Sequence, residues 1–254
     1  MKFHLYRTNL LRARWMPNFA LAVLAGLTAL LLTAMRPNRL WDDALGALCQ
    51  TKTNSTGVVF FTLCIVPAIP LALTYAQDVQ TRFFYFCSLR GGLRRCVRCH
   101  FQIAVLLGAL TSGISDALFV IVMLLRGFPL GGTYPDGGDA FFELIRSHIL
   151  LYFAAILLNS MLSAAITAGW AALAAAGFCH PLSGLAAPLI VYMLWLRVVP
   201  SSAPTYFRAT GVFSGYSGGT AVGNLLIKLV TTVLFCAVSQ TLTVRIVKRR
   251  QQNA

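Results

Sequence analysis

Acidic residues are scarce in this sequence: only seven of its 254 residues are Asp or Glu, against 21 Lys and Arg. Charged residues of both signs make up 11% of the chain, whereas a soluble globular domain carries about 25%. Hydrophobic residues make up 57%, so the chain has too little charge to cover a water-exposed surface. A soluble globular protein is therefore excluded, and the hydrophobic runs decide the class.

Several signatures of chemistry are also absent. The sequence has no G-x-x-x-x-G-K-[ST] phosphate loop, no H-E-x-x-H zinc motif and no paired carboxylates for acid–base catalysis. Its basic residues are not interleaved with aromatic residues along a groove, so nucleic acid is not an expected partner. We expect no catalytic residue, no metal and no directly bound cofactor.

Six apolar runs are long enough to cross a membrane, which takes about 20 residues in a helix. Strands usually end after about 4–8 residues, and backbone groups in lipid must be satisfied within the segment. We therefore predict an all-α polytopic membrane protein with six transmembrane helices in a single transmembrane domain over 1–254. The predicted spans are about 17–35, 57–76, 101–125, 147–175, 182–199 and 223–244.

Lys and Arg are distributed unequally between the two sides. With six spans both termini share a side, and that side holds thirteen basic residues, in 1–16, 77–100 and 245–254, against seven on the other. Cytoplasmic loops carry an excess of Lys and Arg, so both termini and the 77–100 loop are predicted to be cytoplasmic. We expect a multi-pass protein of the plasma or inner membrane, in contact with the lipid bilayer.

The connecting segments differ in character. Residues 1–16 mix apolar and basic side chains, which predicts an interfacial helix. Residues 36–56 read as a short polar outer loop, and 177–181 as a tight inner hairpin. The segment of about 200–222 is too apolar for a free loop and too short to cross. A re-entrant outer segment is therefore expected before the last helix.

Polar residues inside the spans are expensive, so they should face protein or water. Asp116 lies near the middle of the third span, and Lys228 lies close to the outer end of the sixth. Lys228 can snorkel outward or pair with Asp116. The polar residues of the third and fourth spans recur at helical spacing, and either helix packing or a translocation pathway would account for them. The candidate positions are Ser112, Asp116, Asn159, Ser163, Thr167 and Lys228.

The stretch "RRCVRCH" over 94–100 has the spacing of a c-type haem attachment site. The predicted cytoplasmic location argues against haem, because that group is attached on the other side of the membrane. Three thiolates and an imidazole could also form a zinc site, but five arginines surround it and repel a cation. Reduced cytosolic thiols are therefore the preferred interpretation. The ligands of the alternative zinc site would be Cys87, Cys96, Cys99 and His100.

An enzyme remains an alternative because Gly215-Tyr216-Ser217-Gly218-Gly219 matches the nucleophile pattern G-x-S-x-G. Its first four residues resemble the G-x-S-G of rhomboid intramembrane proteases, in which the catalytic His follows the serine. All four histidines here precede Ser217, and a hydroxyl without a base is a poor nucleophile. The protease interpretation therefore lacks a catalytic partner for Ser217.

The arrangement resembles the membrane subunit of an ABC-2 type (type V-like) ABC transporter, over nearly the whole chain. The most specific stretch is "AQDVQTRFFYFCSLRGGLRRCVRCHF" over 76–101. In that family this loop carries an acidic residue, a small residue, a Ser and one or more Arg, followed by a Lys. Here Thr81 stands where Gly is frequent and His100 where the Lys is found; Asp78, Ser88, Arg90, Arg94 and Arg95 fill the other places.

The resemblance implies a permease, typically an exporter of a hydrophobic or amphipathic substrate, with no ATPase of its own. Two permease subunits, identical or different, would form the pathway, and a cytoplasmic ATP-binding cassette subunit would supply ATP. The 77–100 loop would dock on that subunit through Asp78, Arg90, Arg94, Arg95 and Arg98. A non-catalytic substrate-capture or assembly protein is the remaining alternative, although such capture proteins usually lack the long basic loop.

Overall fold

The structure, a computed structural model, describes residues 17–35, 43–54, 61–70, 92–131, 141, 144, 148–200, 202–204, 207–214 and 220–252. Within these ranges the chain is helical and contains no strand, which confirms the predicted all-α class. We number the α-helices in chain order: α1 Pro17–Ala34, α2 Ala44–Asn54, α3 Leu93–Leu125, α4 Ile149–Phe178, α5 Pro181–Val198, α6 Ala209–Ser214 and α7 Ala221–Gln252.

Five of these helices, α1, α3, α4, α5 and α7, are long and apolar enough to cross a membrane. Each overlaps one predicted span, because a run of about 20 apolar residues both forms a helix and matches the hydrocarbon thickness. The chain is therefore a multi-pass membrane protein. The predicted interfacial helix over 1–16 lies outside the described residues.

The predicted span 57–76 is described only over 61–70, and there it is irregular. Phe61–Ile65 forms a π-helix and Val66–Ala68 a 3₁₀-helix. Pro67 accounts for the change of winding, since it lacks the N–H that an α-helix would use. Cys64, Val66 and Ala68 are buried in contact with α1, α3 and α4.

The predicted outer loop 36–56 is wrong in its second half, which forms α2. Asp43 caps this helix by accepting a hydrogen bond from the Gly46 amide at 2.6 Å, the usual function of Asp at a helix start. Its first turn is also held by backbone bonds from Ala44 and Leu45 to the carbonyls of Pro129 and Leu130. The apolar side of α2 is fully buried at Ala44, Leu45, Ala47 and Leu48.

The central helix of the bundle is α4, which contacts α3, α5, α6 and α7. One end of the bundle joins the start of α3 to the ends of α4 and α7, through Cys96, Val97, Ala175, Val244 and Val247; we call it the basic end. The opposite end, the far end, joins the end of α1 and of α3 to the starts of α4 and α7.

These contacts fix the direction of each crossing. Near the basic end Phe19 packs with Cys99 and Phe101, and near the far end Leu30 packs with Phe119. Helices α1 and α3 therefore run side by side in the same direction. The chain between them must return from the far end to the basic end.

Helix α3 begins at Leu93, eight residues before the predicted span, so the end of the predicted 77–100 loop is helical. Its 33 residues correspond to about 50 Å at roughly 1.5 Å per residue, well beyond a hydrocarbon core of about 30 Å. Helix α7, with 32 residues, also exceeds that thickness. The first turns of α3 and the last turns of α7 therefore extend together past the apolar layer.

A tight turn joins α4 to α5, as predicted for 177–181. Cys179 ends α4 in the left-handed conformation at φ 53°, a position that usually carries glycine. The Arg250 guanidinium donates to the Cys179 sulfur and to the Gly177 carbonyl. The end of α7 is thereby tied to this turn.

Gly108 lies where α3 approaches both α4 and the irregular segment. A Cβ at this position would meet the Ala168 Cβ, and it would lie 2.9 Å from the Pro67 carbonyl oxygen. Small residues permit such close helix contacts in membranes. Gly108→Ala should therefore lower the free energy of unfolding by about 1–3 kcal/mol, the usual cost of overpacking.

Gly177→Ala is the matched control, because among the described residues no atom lies within 4 Å of the added Cβ. Thermal unfolding of the detergent-solubilised protein measures both variants. Equal melting temperatures for the two variants would contradict the close contact at Gly108.

Candidate functional site

A buried ion pair lies between α2, α3 and α4. The Lys52 ammonium contacts the Asp116 carboxylate and donates to the Ser160 hydroxyl at 2.7 Å. The Ser160 and Ser112 hydroxyls are 2.8 Å apart, so they also share a hydrogen bond. We call Lys52, Asp116, Ser112 and Ser160 the ion-pair cluster.

The cluster is shielded from its surroundings. The Asp116 side chain is 2% exposed and that of Lys52 18%. An acid near the centre of a span costs roughly 2.5–3.5 kcal/mol on insertion scales, and the ammonium and hydroxyl contacts offset this cost. The contact links α2 to α3 and α4, and each charge offsets the burial cost of the other.

The hypothesis that Asp116 pairs with Lys228 is wrong. Asp116 is occupied by Lys52, a residue that the predicted outer loop placed at the surface. The sequence did contain a signal, because Leu45, Leu48 and Lys52 recur at i, i+3 and i+7 on one helical face. Ser160 was missed because the predicted stripe on α4 followed Asn159, one residue away.

The other polar positions of α4 face a different neighbour. Asn159, Ser163 and Thr167 are all buried. The Ser163 hydroxyl donates to the carbonyl of Phe213 at 2.9 Å, and also to that of Asn159. This bond attaches the short helix α6 about halfway along α4, roughly 20 Å from the first residue of α4 at about 1.5 Å per residue.

Lys228 is buried next to Phe213 of α6, and the predicted outward snorkelling is wrong. Its side chain is 1% exposed, and its ammonium lies 5.8 Å from the centroid of the Phe213 ring. It has no hydrogen-bond partner among the described residues. A cation–π contact is worth about 2 kcal/mol when desolvated, less than the several kcal/mol that burying an ion costs. The charge of Lys228 is therefore poorly compensated.

Lys228 belongs to a polar stripe along α7 that sequence reasoning missed. The members recur mostly four residues apart, so they share one helical face, and each is buried. From first to last they extend about 28 Å at roughly 1.5 Å per residue, close to the hydrocarbon thickness of about 30 Å. We call the set the α7 stripe: Asn224, Lys228, Thr232, Ser239 and Thr243.

The predicted coupling residues fall into two groups. Asp78 and Arg90 lie outside the described residues, as do Thr81, Ser88 and the protease candidate Ser217. Arg94, Arg95 and Arg98 are exposed on the first turns of α3, at the basic end. At about 100° per residue, Arg98 lies about 40° from Arg94 and about 60° from Arg95, so the three arginines lie within about 100° of the helix circumference.

The cysteine and histidine residues of the "RRCVRCH" stretch are buried in α3 rather than gathered around a site. Cys96 packs against Val244 and Val247, whereas Cys99 packs in a separate cluster with Phe101 and Ala172. Among the described residues no three His, Cys, Asp or Glu side chains come together as a metal site. Cys87 lies outside those residues.

Comparisons of the chain with family models, with curated proteins and with solved structures found no match in any of the three.

Proposed function

We propose that the chain is the membrane-spanning permease subunit of an ABC transporter, driven by a separate ATP-binding cassette subunit. The observation that carries the proposal is the continuity of α3. This helix leads without a break from the exposed Arg94, Arg95 and Arg98 to the buried Asp116. A contact at the basic end and a charged site within the membrane thus share one rigid element.

The mechanism follows from that continuity. Arg95 and Asp116 are separated by about 30 Å of helix, at roughly 1.5 Å per residue. Docking of an ATPase on the arginines would tilt α3 as nucleotide closes the ATPase, and the ion-pair cluster would then shift against α2 and α4. Packed helices move between discrete arrangements rather than deforming smoothly, which suits alternating access.

The α7 stripe supplies polar side chains over the depth of the bilayer, inside the bundle and on the side of α7 away from its exposed apolar face. Ionisable residues inside spans are expensive and commonly mark substrate routes, and Lys228 lacks the compensation that Asp116 has. The proposed substrate is hydrophobic or amphipathic and is exported, with the pathway formed at the interface with a second permease subunit, identical or different. The α7 face bearing Leu226, Val230 and Val233 is exposed, available to lipid or to that subunit.

Six crossings with both termini in the cytoplasm are part of the proposal. The parallel direction of α1 and α3 supports a returning span between them, and 57–76 is the apolar run of sufficient length. The exposed arginines of α3 and the Lys and Arg residues in the last turns of α7 support a cytoplasmic location for the basic end, because positive charge accumulates on the cytoplasmic side. The segment before α7 is proposed as re-entrant, supported by the depth of α6.

Arg95→Glu tests the docking step. Charge reversal should remove an attractive contact with an acidic groove, so purification of the tagged chain from its host should lose the ATPase. The readout is a co-purifying chain that carries G-x-x-x-x-G-K-[ST], together with vanadate-sensitive ATP hydrolysis. We expect at least a tenfold loss of both relative to the wild type.

Arg249→Glu provides the control, since it makes the same charge change on an exposed residue of α7. It should retain the ATPase. No ATP-binding cassette subunit with the wild-type chain would refute the proposed function, and an equal loss for both variants would refute the role of Arg95.

A further inference from the structure

A pocket of about 220 Å³ lies between α3 and α7 at the basic end. Four of its lining residues are cationic: Arg94 and Arg98 from the first turns of α3, and Arg245 and Lys248 from the last turns of α7; Thr241 and Val244 complete the lining. Arg94 and Arg98 are four residues apart, as are Thr241 and Arg245, so each helix presents one face to the pocket.

Among the described residues, no acidic side chain lies near the positive charge of the pocket. Within the described part of the chain the acidic residues are Asp43 and Asp116. Asp43 begins α2 at the far end, and Asp116 is paired with Lys52 inside the bundle. Four cationic side chains border one small volume and repel one another, so an anion beside them is favoured.

The pocket is small and lies beside an apolar surface. Sites for drug-sized ligands usually measure about 300–1,000 Å³, so this volume suits a headgroup rather than a whole organic ligand. Leu234 and Val238 lie eleven and seven residues before Arg245, on the same face of α7, and both are exposed. An acyl chain could lie along these residues while its headgroup occupies the pocket.

We propose that this pocket binds the phosphate of an anionic membrane lipid, with the acyl chains along Leu234 and Val238. Arginine and lysine are the usual phosphate ligands, and basic pockets between spans are suited to lipid headgroups. The pocket shares Arg94 and Arg98 with the proposed docking contact, whereas Arg95 is not among its lining residues. The inference does not rest on the proposed function, because lipid binding is measured on the purified chain without an ATPase.

The test uses the purified full-length chain in nonionic detergent, titrated with phosphatidylglycerol, phosphatidylcholine or inorganic phosphate and followed by native mass spectrometry. We expect phosphatidylglycerol to bind, and phosphatidylcholine and inorganic phosphate to bind at least tenfold more weakly. Each basic residue near an anionic headgroup contributes about fivefold in affinity. Arg245→Gln/Lys248→Gln should therefore weaken phosphatidylglycerol binding about thirtyfold.

Arg126→Gln/Arg249→Gln is the matched control, since it also removes two exposed charges but neither residue lines the pocket. It should change the affinity less than threefold, and Arg245→Lys/Lys248→Arg should retain binding. Equal weakening in both Gln pairs would overturn the site in favour of general charge attraction. If inorganic phosphate binds as tightly as the lipid, the proposal that the pocket recognises a lipid is overturned. Circular dichroism verifies that each variant is folded.

Discussion

Replacing Lys52 by Met should lower the free energy of unfolding by roughly 3–5 kcal/mol, the usual cost of leaving a buried charge without its partner. The substitution preserves most of the side-chain volume but leaves the Asp116 carboxylate, 2% exposed, without its cationic partner. The measurement is the melting temperature of the detergent-solubilised chain, together with its midpoint in a denaturant titration.

A second substitution separates charge from packing. Lys52→Met/Asp116→Leu removes both charges, and replacing a buried ion pair by apolar residues is often neutral. The double variant should therefore recover to within about 1 kcal/mol of the wild type by the same reasoning. A double variant no more stable than Lys52→Met alone would show that the ion pair does not account for the loss.

Replacing the second buried lysine, Lys228, by Met should change the free energy of unfolding in the opposite direction. Lys228→Met removes a cation whose ammonium has no hydrogen-bond partner among the described residues and retains the apolar stem beside Phe213. Leaving a buried polar group unsatisfied costs about 1–3 kcal/mol, and more for a charge. Lys228→Met should thus raise the free energy of unfolding by at least about 1 kcal/mol on that scale.

Stability and function should separate at this position. If Lys228 serves the proposed pathway, Lys228→Met should abolish nucleotide-driven transport while melting at a higher temperature, the usual trade-off at a functional site. Lys52→Met is the internal comparison, with identical chemistry and the opposite shift. Destabilisation of similar size at both positions would mean that Lys228 has a partner in the folded protein and that its charge is compensated.

The sequence was sufficient for the membrane-spanning helices because their physical cause is local. The bilayer thickness alone sets the length of about 20 apolar residues that a crossing requires. Helices α1, α3, α4, α5 and α7 all coincide with runs of at least about that length. The tight turn after α4 was predictable for a similar reason, since the two predicted spans leave little more than 177–181 between them.

The sequence was insufficient where neighbours decide the conformation. Residues 44–54 are too short and too polar to be recognised as a span, and α2 is buried because Phe119 and Met123 of α3 cover its apolar side. The location of Lys52, and with it the partner of Asp116, depended on that long-range packing. Hydropathy describes a residue's cost in lipid, but it does not identify the residue that will compensate it.

Lys228 illustrates the same limit. Its position near a span end predicted a side chain that reaches water, a common behaviour of lysine. The bond from Ser163 to the Phe213 carbonyl attaches α6 to α4, and this places the Phe213 ring beside the lysine ammonium. A six-residue helix leaves no periodic signal strong enough to predict this arrangement.

The ion-pair cluster also has a consequence for biosynthesis. Lys52 precedes Asp116 by 64 residues and Ser160 by 108, so the lysine is synthesised and leaves the ribosome before either partner. When α3 leaves the translocon, the counter-charge for its carboxylate is already present on the nascent chain. Asp116 can therefore be neutralised as its helix enters the bilayer, whereas the serine contact that completes the cluster must wait until α4 has been inserted.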